Sequence, residues 1–143
     1  MHRSLIYSGL AGLALATLLG SAATAETVTY KATMSAQNEV PPNETKGTGT
    51  AELSYDTATK MLTWTVTFSD LSGPATAAHF HGPAEAGKNA GVAVLIGNNP
   101  TSPAKGSATL TDAQAADLAG GRWYVNVHTA ANRPGEIRGQ VGK

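Results

Sequence analysis

The chain has 143 residues, ten Lys and Arg against ten Asp and Glu, and no cysteine. That length suits one domain with a real core, and the balanced charge offers no basic block for nucleic acid or anionic lipid. Disulfides are excluded, so stability must come from packing and from any bound metal.

The chain opens on a short positive head, His2 and Arg3, ahead of an apolar run from Leu5 to Leu19. Ala23-Thr24-Ala25 then supplies the small-residue pattern of a signal-peptidase site. Residues 1–25 therefore read as a signal peptide and 26–143 as the domain. The alternative is a retained membrane anchor, but a spanning helix needs roughly 20 apolar residues, and glycines interrupt this run. No cysteine follows the leader, so a lipoprotein-type anchor has no attachment point. The expectation is a periplasmic or secreted protein with no membrane contact after cleavage; its oligomeric state is left open.

Beyond the leader, period two dominates. Thr27 to Met34 alternates Val28, Tyr30 and Ala32 with threonines and Lys31. A turn-rich stretch from Asn38 to Gly47 precedes Thr50 to Tyr55, whose Ala51, Leu53 and Tyr55 share a face. After a turn at 56–59, Met61 to Phe68 sets Leu62, Trp64, Val66 and Phe68 against Thr63, Thr65 and Thr67, the pattern of a strand wet on one side. Gly73-Pro74 breaks it, and Thr76 to His81 resumes as a strand. Gly82-Pro83 starts a polar loop to Ala90 in which Gly87 and neighbouring Gly91 form no phosphate-cradling pattern. Val92 to Ile96 is apolar on both faces and predicts a fully buried strand. Gly106 to Leu110 adds another. Thr111, with Gln114 three residues on, predicts a capped helix over 111–119 that ends at Gly120-Gly121. Arg122 to Thr129 places Trp123, Val125 and Val127 inward, and Glu136 to Val141 closes the chain with Ile137 and Val141 inward. Eight such strands and one short helix predict an all-β, antiparallel Greek-key β-sandwich.

Three histidines remain after the leader, in His79-Phe80-His81 and Asn126-Val127-His128. Residues two apart on a strand point to one face, so His79 and His81 share a side with the small Ala75 and Ala77 while Phe80 turns inward. His128 shares a face with Tyr124 and Asn126, opposite the core face. Three converging imidazoles without a thiolate suit copper, as Cu(I) or Cu(II), or zinc, and the affinity order of divalent ions puts copper ahead. The bland alternative is that the rings bond nearby backbone and finish a strand end. Metal needs neutral imidazole, so binding would weaken as pH falls below the ordinary histidine pKa of about 6.5. Asn126 is a candidate to hold an imidazole by hydrogen bond, beside Tyr124. Glu136 could accept from a ligand's free N–H or fill a fourth position; the alternative is an ion pair with Arg138 on the same strand face. Glu39 precedes Val40-Pro41-Pro42, an extended turn, and reads as structural. No Ser-His-Asp set or close carboxylate pair is present.

Four segments, Asn38-Glu39-Val40-Pro41-Pro42, Ala78 to Ala84 with His79, His81, Gly82 and Pro83, Tyr124 to Thr129, and Pro134 to Gln140, together resemble the CHRD domain over about Val28 to Val141. The resemblance implies an exported β-sandwich with no established general catalytic role. The arrangement is also similar in outline to copper-zinc superoxide dismutases, with an H-x-H strand and a later strand histidine. It lacks a fourth placed histidine, a long zinc-binding loop and a cysteine pair. The sequence thus leads to an exported metal-binding protein that holds or delivers copper through His79, His81 and His128. A metal-free CHRD interaction module for a protein or polysaccharide is the first alternative, and a small copper oxidoreductase the second.

Overall fold

The computed structural model describes residues 18–21 and 24–143. Of the expected leader, 1–17, 22 and 23 lie outside the described residues, and the rest carries no regular secondary structure. No helix among the described residues is long and apolar enough to cross a membrane.

Among the described residues eight strands form: β1 (Thr27–Ser35), β2 (Thr48–Asp56), β3 (Met61–Ser69), β4 (Ala75–His81), β5 (Val92–Asn98), β6 (Ala104–Thr109), β7 (Trp123–Thr129) and β8 (Ile137–Val141). They join in one antiparallel sheet of order β5-β4-β7-β8-β1-β2-β3-β6. The ladder is thinnest between β8 and β1, where Ser35 pairs with Arg138 and Lys31 bridges to Gly142. Gly139 lets the backbones meet there, since a Cβ on it would collide with the Thr33 carbonyl. The sheet folds over along this seam, so β5-β4-β7-β8 faces β1-β2-β3-β6 and β5 returns close to β6. The result is the expected sandwich, nearly closed, with Greek-key crossings at β3–β4, β5–β6 and β6–β7.

The alternating side chains fill the space between the layers. Trp64 of β3 meets Phe80 of β4 edge-on at 5.5 Å between ring centroids, and Phe80 lies 5.7 Å from Trp123 of β7. All three are in the buried core, as their strand faces predict. Gly106 sits opposite Trp64 because a side chain there would strike the indole. Helix α1 (Asp112–Ala119) carries the reciprocal Thr111–Gln114 capping box, and Leu118 anchors it to the core.

Two expectations are corrected. β5 is not fully buried: Val92 is 55% and Leu95 48% exposed, while Ala93, Val94 and Ile96 pack on the core. As the last strand of the order it is covered on one face only, which its apolar composition does not reveal. Ala75 leaves the histidine face and joins the core, because the β4–β7 register shifts between Ala75 and Ala77.

Truncating Trp64, Phe80 or Trp123 to alanine should cost about 3–5 kcal/mol in urea denaturation. Val92→Thr on the exposed side of β5 should stay within about 0.5 kcal/mol.

Candidate metal centre

β4 and β7 are neighbours, with Ala77 opposite His128 and His79 opposite Asn126. Their outward faces therefore bring the three histidines together, with one ligand nitrogen of each within 4.8 Å of the others. His128 Nδ1 donates to the Arg133 carbonyl at 2.7 Å, which leaves its Nε2 lone pair facing His79 Nδ1 at 3.1 Å. Two nitrogens bound at about 2.0–2.1 Å stand roughly 2.9 Å apart at a right angle and 3.3 Å apart at a tetrahedral angle. The observed 3.1 Å falls between these, so this pair fits an ion with little movement.

His81 is held differently. Its ring stacks on Tyr124 at 4.7 Å and 5°, and both nitrogens face oxygen acceptors: Ala90 O at 3.0 Å and Asn126 Oδ1 at 2.9 Å. Two acceptors call for two N–H groups, hence the imidazolium. Burial pushes the ring the other way, lowering its pKa against the opposing pull of those two bonds. Turning the Asn126 amide end for end lets Nδ2 donate to neutral Nε2 at the loss of its 3.4 Å contact to the Pro134 carbonyl, and Oδ1, now toward Glu39, needs a proton from it. Glu39 can supply that proton, because burial raises its pKa to about 7 against the lowering effects of Asn126, Arg138 and the Val40 N–H. For His81 to ligate through Nε2, the ion must displace Asn126. His79 stays neutral: burial first, then the His128 and His81 rings, bring its pKa down to about 4. Proton competition for its lone pair thus moves from the ordinary histidine range toward pH 4.

Around His81 the outer face of these strands is closed off from water. Tyr124, Asn126, Arg138 and Glu39 are all buried. The covering comes from the loops around 36–47 and 82–91, where Asn89 Nδ2 reaches the Val40 carbonyl at 3.2 Å. Ala90 meets Tyr124 twice, its N–H donating to the phenol oxygen and its carbonyl accepting from the phenol O–H, both at 3.1 Å. Val40–Pro41 and Gly82–Pro83 are cis, and Gly82 has no room for a Cβ beside Trp123. Gly135, at φ +137, passes so close to Glu39 and Asn126 that any side chain would strike both.

Glu136 belongs to another network. Its buried carboxylate accepts from the Ser72 N–H at 2.8 Å and from the Ser72 hydroxyl, Thr129 Oγ1 at 2.8 Å and Asn132 Nδ2 at 3.0 Å. Burial pushes its pKa up, but these four donors outweigh it and hold the acid below its usual range. It meets neither a histidine nor Arg138. Arg138 instead lies 3.5 Å above the Tyr124 ring and donates to Asn89 Oδ1 at 2.7 Å and to the Lys88 carbonyl. Contacts from Ala90, Arg133 and Gly135 escape sequence reasoning, since two act through backbone oxygen and the third by having no side chain.

A family model for the CHRD domain matches residues 30–141. The chain belongs to the CHRD-domain family. The match takes in both histidine motifs and the Glu39, Asn126 and Arg138 positions that close over them. No match is found among curated proteins or solved structures.

Two of the shifted groups, His79 and Glu39, act oppositely on folding in metal-free protein. His79 binds a proton less readily folded than unfolded, so its contribution is lost as pH falls from about 6.5 toward 4. Glu39 binds one more readily, so its contribution is lost as pH rises from about 4.5 through 7. Urea midpoints with chelator present should show His79→Ala losing less stability than wild type on acidification. Glu39→Gln should gain on wild type between pH 5 and pH 8; equal pH profiles for all three proteins would refute both assignments.

Proposed function

We propose that this protein is an exported metal-binding module that holds or delivers a copper ion through His79, His81 and His128. The observation that carries the reading is the approach of His79 Nδ1 and His128 Nε2 at 3.1 Å, with the third imidazole inside the same 4.8 Å cluster. A backbone carbonyl fixes the His128 tautomer, the usual way a protein orients a ligating imidazole. His79 and His128 form the ready half of the site, and His81 completes it by exchanging Asn126 for the ion. An all-nitrogen set is open to copper and zinc, and the Irving–Williams order ranks copper first. The leader-like start of the chain supports an exported location, where an ion could be held outside the cytoplasm.

The CHRD interaction module with purely structural histidines is favoured by one observation: His81 is hydrogen-bonded at both nitrogens by the protein itself. Melting of tag-free protein with copper and with zinc at pH 7.5 separates the readings. An ion that binds only the folded state at 100 times its Kd adds about 2.7 kcal/mol, which raises the midpoint by roughly ten degrees for a domain of this size. Copper should give that rise in wild type and in Glu39→Gln, and lose most of it in His79→Ala and His128→Ala. Unchanged melting with both metals in wild type would reject the metal site and leave the interaction module.

A further inference from the structure

Beside the histidines, under the same two loops, lies a cavity of about 310 Å³ lined by Asn38, Glu39, Ala86, Arg138 and Gln140 among others. Its chemistry is unusual in three respects. Arg138 is only 2% exposed, yet no carboxylate forms an ion pair with it among the described residues. Its hydrogen bonds go to the neutral Asn89 Oδ1 and Lys88 carbonyl, which leaves guanidinium donors to spare. Gln140 turns its Nε2 to the carbonyls of Ala84 at 2.9 Å and Gly121 at 2.8 Å, and its buried Oε1 has no partner at all. Glu39, 5% exposed, accepts one long side-chain hydrogen bond, from Asn126 at 3.4 Å, besides the Val40 N–H.

A buried cation with no carboxylate in contact, only the nearby Glu39 carboxyl that its charge acts on, and a buried acceptor without a donor are both costly, and one ligand can relieve both. Arg138 calls for an anion and is suited to a carboxylate. Gln140 Oε1 and the Glu39 carboxyl call for a donor. A simple anion such as phosphate would meet two oxygen acceptors; a simple amine would meet the guanidinium. We propose that this cavity binds a small zwitterion of the α-amino-acid class, with its carboxylate on Arg138 and its ammonium on Gln140 and Glu39. The volume lies at the lower end for small-molecule sites and suits a ligand of that size. The site uses none of the three histidines, so it does not depend on the metal reading.

The test is an NMR titration of isotope-labelled, metal-free protein with glycine, watching the Arg138 Nε–H and Gln140 side-chain amide signals. Acetate, methylammonium and inorganic phosphate at matched ionic strength serve as comparisons. Glycine should shift both signals saturably, and each comparison ion should bind at least tenfold more weakly. Ala86→Phe, at the exposed rim, should abolish the shifts while leaving melting unchanged, and Arg138→Gln should do so wherever its spectrum remains folded. The double variant His79→Ala/His128→Ala should keep them. No saturable shift with glycine would overturn the proposal, as would equal binding of acetate or phosphate, or shifts that survive Ala86→Phe.

Discussion

The side-chain amide of Asn126 is the tie on which the outer face of this sandwich depends. It meets His81 Nε2 on one side and Glu39 and the Pro134 carbonyl on the other, while its own strand runs between β4 and β8. One residue thereby joins a histidine strand, the turn after β1 and the approach to β8. An amide can serve here because it donates and accepts at once, and because end-for-end rotation exchanges the two roles. That exchange matches the two protonation states available to its neighbours, a buried imidazole and a carboxyl poised near neutrality.

The domain has two interiors of opposite character. Between the layers, Trp64, Phe80 and Trp123 make an apolar core without charge. Outside the β4-β7-β8 face, a second buried layer is almost entirely polar: His81, Tyr124, Asn126, Arg138 and Glu39. Polar burial is tolerable only when each group finds a partner, and the covering loops supply many of them through backbone carbonyls. This accounts for a close-fitting Gly135, which lets the chain pass against Glu39 and Asn126. It also separates Glu136 from the histidines: that carboxylate is satisfied by Ser72, Thr129 and Asn132, and ties the β3–β4 connection to the end of β7.

His79 and His128 occupy the edge of the polar layer, half-buried, and His81 its interior. The gradient divides their chemistry. The outer pair has a lone pair directed at a partner nitrogen, whereas His81 is stacked and bonded on every polar atom. A ligand set built this way has two residues ready and one held in reserve by Asn126.

Strand faces were legible in the chain because a period of two distinguishes inward from outward residues wherever one face is buried. Trp64, Phe80, Trp123 and the shared face of the histidines follow from that alone, as does the Thr111–Gln114 cap. The same rule fails where burial is not local. Val92 to Ile96 reads as fully buried because it is apolar throughout, but position at the end of the strand order is a property of the whole sheet. Ala75 changes face through a register shift that only its pairing with β7 creates. The pairing of β4 with β7, and hence the meeting of His79 with His128, comes from the strand order, in which the chain crosses from β6 to lay β7 beside β4. Likewise, nothing in the alternation of Tyr124, Asn126 and His128 says that their outward face is covered: two loops distant in sequence do that, mainly with backbone groups that every residue carries.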